Sequence, residues 1–166
     1  MSDELTHLND AGEANMVDVG AKEQTARRAV AVGRVFLNEK ARTAVESGGL
    51  EKGEALSVAR VAGIMGGKKT SELIPLCHQI ALDKVAVRFA FVSEPSSIAI
   101  RAEARCHGQT GVEMEALTAV SVAALTLYDM CKAVDREMTI GEVRLAHKSG
   151  GRSGTFDNPD EIDWST

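Results

Sequence analysis

The stretch Lys84-Val-Ala-Val-Arg-Phe-Ala-Phe-Val-Ser-Glu-Pro-Ser-Ser-Ile-Ala-Ile-Arg-Ala-Glu-Ala-Arg105 decides the fold. Val85, Val87, Phe89 and Phe91 alternate with Lys84, Ala86, Arg88 and Ala90. Further on, Ile98, Ile100, Ala102 and Ala104 alternate with Arg101, Glu103 and Arg105. A period of two turns successive side chains to opposite faces of a strand. Glu94-Pro95-Ser96-Ser97 between the runs has the residue types of a tight turn, so the segment reads as a β-hairpin. Two strands joined directly do not fit regular βα alternation, and an antiparallel sheet follows.

Working outward, Arg27 to Phe36 reads as another strand, with Val30, Val32 and Phe36 off one face and Ala29, Ala31 and Gly33 off the other. Asn38 then caps a short helix with Ala41, Ala44 and Val45 as its apolar stripe and Gly48-Gly49 as its stop. Val58, Val61, Ala62 and Met65 share one side of a second helix, expected to end near Gly66-Gly67, and Pro75 closes a short segment after it. Beyond the hairpin, the spacing predicts a long helix over 112–134, its buried stripe formed by Val120, Ala124, Leu127, Cys131 and Val134. Met138 to Lys148 is the last strand. The order β, α, α, β, β, α, β gives an α+β, ferredoxin-like sandwich: an antiparallel sheet with helices packed on one face. The expected division is a mobile segment over 1–15, one α+β domain over 16–148, and a Gly-rich loop with an acidic tail over 149–166.

Composition bounds the function. The 166 residues suit one domain, and 44% hydrophobic with 26% charged types is an ordinary globular balance. A net charge of −5, one Trp, one Tyr and four Phe disfavour nucleic-acid binding. Cys77, Cys106 and Cys131 are odd in number and widely spaced, which suggests neither a disulfide framework nor a zinc site and fits a reducing cytoplasm. The apolar stretch from Ala116 to Leu127 is too short to span a bilayer, and Met1-Ser-Asp-Glu-Leu-Thr-His lacks the pattern of a secretory signal. No membrane partner is expected.

Four segments carry candidate chemistry. Gly63-Ile-Met-Gly-Gly-Lys-Lys-Thr approaches a phosphate-binding P-loop, but Lys68 stands where glycine must precede the Lys-Thr pair, and a helical pattern precedes it in place of a strand. Its plain reading is a glycine-rich helix end with solvated lysines. Ile74-Pro-Leu-Cys-His-Gln79 places an imidazole and a thiol beside a rigid proline turn, although a lone His is more often structural. Asp129 and Lys132 share one helix face; they form either a solvated ion pair or, in a desolvated cleft, a lysine tuned by its carboxylate. Glu113 and Glu115 open the long helix, where the helix dipole alone explains them. Two residues apart, they face nearly opposite ways on a regular helix. Arg27, Lys52, Lys132, Lys148 and Arg152 have no spacing rule, and each alone reads as surface.

Together the motifs Met16-Val-Asp-Val, Leu73-Ile-Pro-Leu-Cys-His, Thr110-Gly-Val-Glu-Met-Glu-Ala-Leu-Thr-Ala, Ala123-Ala-Leu-Thr-Leu-Tyr-Asp-Met-Cys-Lys-Ala and Lys148-Ser-Gly-Gly resemble the cyclic pyranopterin monophosphate synthases of molybdenum cofactor biosynthesis. The resemblance covers about residues 5–156. It implies a ferredoxin-like subunit in a homohexamer, a trimer of dimers with interface active sites, that converts 3′,8-cyclo-7,8-dihydroguanosine 5′-triphosphate to cyclic pyranopterin monophosphate and pyrophosphate. By motif position it implies catalytic roles for Asp129, Lys52 and Lys132. Substrate contacts are implied for Leu76, Cys77, His78, Met114, Glu115, Glu113, Arg27 and Lys148. No tightly bound cofactor is implied; Mg2+ can accompany the triphosphate. Two departures stand out: Gln79 where the family motif has Pro, and a glycine-rich Gly66-Gly67, expected to loosen the helix end. The competing classes are a noncatalytic nucleotide- or pterin-binding module of the same fold and a P-loop phosphatase or kinase.

Overall fold

The computed structural model describes residues 11–50, 54–159, 161, 162 and 164. The chain runs β1 (Thr25–Phe36), α1 (Glu39–Glu46), α2 (Ala55–Lys68), α3 (Thr70–Leu73), β2 (Lys84–Val92), β3 (Ser97–Gly108), α4 (Glu113–Cys131), β4 (Thr139–Ser149) and β5 (Phe156–Asp157). The strands form one sheet in the order β2-β3-β1-β4-β5, antiparallel throughout. The architecture is the α+β sandwich expected. The hairpin is present, with β2 and β3 in unbroken register from Lys84↔Arg105 to Val92↔Ser97. β5 lies past the expected body and extends the sheet through Lys148↔Phe156.

α2 and α4 cover one face of the sheet. The core joins Ala29, Ala31 and Val35 of β1 and Ile98, Ile100, Ala102, Ala104 and Cys106 of β3 to Ala116, Ala119, Val120, Ala123, Ala124 and Leu127 of α4. Thus the small face of β1 is the one under the helices. Alanines there let α4 settle close to the strands, while Val30 and Val32 form a smaller cluster with Ala146 on the opposite face.

α2 corrects two expectations. Its apolar side of Val58, Val61 and Met65 points outward, at 46%, 58% and 54% exposure, while Ala55, Ala59, Gly63, Gly66 and Gly67 face the core. The glycines make a close crossing with α4. A β-carbon on Gly63 would sit 2.8 Å from the Ala119 carbonyl oxygen, and one on Gly66 2.7 Å from the Val122 side chain. Gly66 and Gly67 therefore lie inside the helix, which runs on to Lys68, and they do not loosen its end. The P-loop reading falls for the same reason, because no strand leads into this segment and its amides belong to a helix.

α4 is shorter than expected, ending at Cys131 with Val134 beyond it. By length and composition it could cross a membrane, contrary to the reading of its apolar stretch as too short, but half of its apolar window is buried against the rest of the chain. It is the core helix. Its exit is fixed to α1 by the buried Asp135, whose Oδ2 accepts from the Asn38 amide at 2.8 Å. Asn38 Oδ1 in turn accepts from the Ala41 amide, the expected N-cap.

Candidate active site

At the N-terminal end of α4, four elements converge. Arg27 stands opposite Cys106 in the β1–β3 register, and Lys148 opposite Ala29 in β1–β4, so both point to the helix side of the sheet. Arg27 donates from Nε to the Gly108 carbonyl at 3.3 Å and from a terminal guanidinium nitrogen to the Gln109 carbonyl at 3.2 Å. Lys148 Nζ lies 3.0 Å from Glu113 Oε1 and donates to Ser153 Oγ at 3.1 Å. Glycines make room for these charged groups. A β-carbon on Gly111 would overlap the Glu113 carboxylate, and one on Gly151 the Arg27 guanidinium. Gly151 also holds φ +74°, a backbone that L side chains rarely adopt.

Glu115, two residues after Glu113, is buried, with 4% exposure. Burial, with a further push from the Glu113 carboxylate, raises its carboxyl to about 7. The Cys77 thiol is pushed up by burial and by Glu115, and that of Cys106 by burial and by Asp83, Glu115 and Glu113 against the pull of Arg27. These couplings set Cys77, Cys106, Arg27, Glu113 and Glu115 in one electrostatic neighbourhood. Met114, between the two glutamates in sequence, is 38% exposed.

The segment carrying Leu76, Cys77 and His78 begins with a turn around Pro75, closed by the Cys77 amide on the Ile74 carbonyl at 3.1 Å. The turn closes before Gln79, so the missing proline leaves it intact. His78 Nε2 lies 2.7 Å from the Val17 carbonyl oxygen, a group that only accepts, so this ring nitrogen carries a hydrogen.

Asp129 and Lys132 form their expected ion pair, at 2.7 Å, but at the other end of α4 and more than half exposed. Glu113 and Asp129 are sixteen residues apart in one helix, so at about 1.5 Å of rise per residue the two groups are roughly 24 Å apart. One chain does not bring the expected site residues together. Lys52 lies outside the described residues, as does most of the N-terminal segment expected to be mobile.

Clefts of about 470 and 510 Å3 open elsewhere, on the sheet face turned away from the helices and along its β2 edge. There Arg28, Lys84 and Arg105 surround Glu103 at 2.8, 3.3 and 2.8 Å. Burial alone would raise the Glu103 carboxyl, but these cations hold it below its ordinary value. None of the expected site residues lines either cleft.

Residue reading did not single out Cys106, Gln109, Ser153 or the spacing glycines. Gly111 and Gly151 lie inside quoted motifs, and Gly151 beside Arg152 was the one local signal; Gly111, between Thr110 and Val112, gave none. Cys106 and Ser153 gave none, because their neighbours are distant in sequence or set by loop geometry.

Residues 16–151 match a family model described as the MoaC family. The chain is 57% identical over 161 residues to the cyclic pyranopterin monophosphate synthase of Pelotomaculum thermopropionicum, covering 97% of this chain and 95% of that protein. Its identity to the enzyme of the same name from Chloroflexus aurantiacus is 57% over 156 residues, covering 94% and 96%. For the one from Roseiflexus sp. it is 56% over 158 residues, covering 95% and 99%.

Proposed function

The chain belongs to the MoaC family, and from that premise we propose that it is a cyclic pyranopterin monophosphate synthase. It is a lyase of molybdenum cofactor biosynthesis that acts in the cytoplasm on 3′,8-cyclo-7,8-dihydroguanosine 5′-triphosphate and releases pyrophosphate. The observation that carries the mechanism is the division of the site residues between the two ends of α4. Each active site takes Arg27, Cys77, His78, Glu113, Glu115 and Lys148 from one subunit, and Asp129 and Lys132 from the C-terminal end of α4 in another. Leu76 and Met114 border the first half, and Lys52 completes the catalytic set. Exposed Val58, Val61 and Met65 on α2 and Leu125 on α4 supply apolar surface for such contacts, in support of a homohexamer built as a trimer of dimers.

The chemistry suits these groups. Arg27 and Lys148 receive the triphosphate, which takes over Lys148 from Glu113 and Ser153, and their charge stabilises the departing pyrophosphate. Mg2+ enters as a companion of the triphosphate. Rebuilding the purine-derived ring as a pterin needs proton transfers. Glu115, poised at about 7, holds or releases a proton near neutral pH, Lys52 and Lys132 divide the remaining acid and base work, and Asp129 positions Lys132.

The test is subunit complementation. Lys148→Ala and Lys132→Ala chains, each inactive alone, are co-expressed with different tags and assayed for pyrophosphate and pterin. In a mixed pair one shared site loses both lysines and the other keeps both, so random pairing restores about a quarter of wild-type activity. No restoration in purified mixed oligomers refutes the shared site. Saturable binding of the triphosphate by wild type, with neither product, would mean the noncatalytic module instead.

A further inference from the structure

Gln109 lies between β3 and α4, outside every role assigned above. Its side-chain amide nitrogen donates both hydrogens to the N-terminal segment, to the Gly20 carbonyl at 3.0 Å and to the Lys22 carbonyl at 3.1 Å. That segment is itself a closed turn. The Lys22 amide donates to the Val19 carbonyl at 3.0 Å, and the Gly20 amide to Asp18 Oδ1 at 2.8 Å. Three residues earlier, the Val17 carbonyl accepts from His78 Nε2. Residues 17–22 thus form a strap held at one end by His78 and at the other by Gln109. Meanwhile the main-chain carbonyl of Gln109 accepts from Arg27. One residue ties the strap to Arg27.

We propose that Gln109 is a positioning residue of the synthase: its amide clamps the 17–22 strap, the strap holds His78, and the main chain of Gln109 holds Arg27. The consequence for His78 is chemical. With Nε2 committed to a carbonyl, the neutral ring keeps its hydrogen there and presents Nδ1 as its acceptor. A released strap frees the ring to exchange tautomers and rotate, and leaves Arg27 on a less constrained carbonyl. Both changes weaken substrate binding more than the chemical step, because neither residue is one of the proton-transferring lysines. The inference rests on the synthase reading for its kinetic consequence, but not for the clamp itself.

The experiment compares Gln109→Ala, Gln109→Glu and Gln109→Lys. The first removes the donors, the second sets a carboxylate against two carbonyl oxygens, and the third restores donors without the amide. Steady-state turnover of the cyclic triphosphate is read beside hydrogen exchange of peptides covering 17–22. Two exposed hydrogen bonds predict a rise in KM of about fivefold for Gln109→Ala, more for Gln109→Glu, with kcat within about twofold. Exchange over 17–22 rises by a similar factor in both. Gln109→Lys returns both readouts toward wild type. Equal KM values in all three variants, or exchange over 17–22 unchanged in Gln109→Ala and Gln109→Glu, overturn the proposal. If wild type makes no pterin, the synthase reading is what fails, and exchange over 17–22 still decides the clamp.

Discussion

The two ends of α4 carry the same kinds of residue, acids and lysines, in opposite settings. At the N-terminal end, Glu115 is 4% exposed, and Glu113 is threaded past Gly111 to Lys148 of β4. At the C-terminal end, Asp129 and Lys132 pair locally across one turn, each more than half exposed. The first end is preorganised by its own fold, since distant segments must be in place before its contacts form. The second is a local pair across one turn whose value in one chain is small, because solvent screens it. Under the proposed function, Lys132 takes the rest of its environment from a second copy of the chain.

The two ends of α4 should differ most in their effect on turnover. Lys132→Ala should lower kcat by about a thousandfold, in the range of a lost acid–base group. If its turnover stays near wild type, the C-terminal end has no part in the reaction. The next effect is on stability and belongs to the buried end. The Glu115 carboxyl is raised from 4.5 to about 7 in the folded chain, so the folded state holds its proton where the unfolded state has lost it. Its contribution is fully present below pH 4.5 and is lost as pH rises through about 7. Glu115→Gln should therefore match wild type in acid and exceed it above pH 7 by at most about 3 kcal/mol, measured by denaturant titration at several pH values. A constant difference across that window would contradict the assignment.

A smaller effect sharpens the role of spacing at the same end. In Gly111→Ala the new β-carbon displaces the flexible Glu113 carboxylate from Lys148. Activity should fall about tenfold, because Glu113, one of the groups of the site, is moved out of place, while Tm changes little. A large fall in Tm would mean that the backbone, not Glu113, had given way. The smallest effect is expected at the exposed end: Asp129→Asn should leave unfolding free energy within about 0.5 kcal/mol of wild type, whatever it does to turnover. A loss of several times that would show that the pair is built into the folded chain after all.

The strands were legible because alternation over 84–105 and 27–36 is a local pattern that burial on one face enforces. The hairpin and the Asn38 cap appear where their residues predicted them, and the long helix stops at Cys131, short of its expected end. The outward side of α2 was not legible. A stripe of Val58, Val61 and Met65 meets the same periodicity test as a core face, and only the glycine crossing with α4 shows which side is inside. For the site, motif order named residues that spacing could not join. Glu113 and Lys148 are 35 positions apart and meet through the sheet, whereas Asp129 and Lys132 were paired by helix periodicity alone.

The sequence by itself determined what repeats or adjoins along the chain: strand alternation, caps, the Asp129–Lys132 pair, and the ordered motifs by which the family is identified. The tertiary structure alone decided which face of each element is buried, that Cys77 and Cys106 feel Glu115 and Cys106 feels Arg27, and that Glu113 and Asp129 stand roughly 24 Å apart on the helical rise. Local patterns depend on the few residues around them. Burial and electrostatic coupling depend on where distant segments come to rest, and sheet register and the α2–α4 crossing set that.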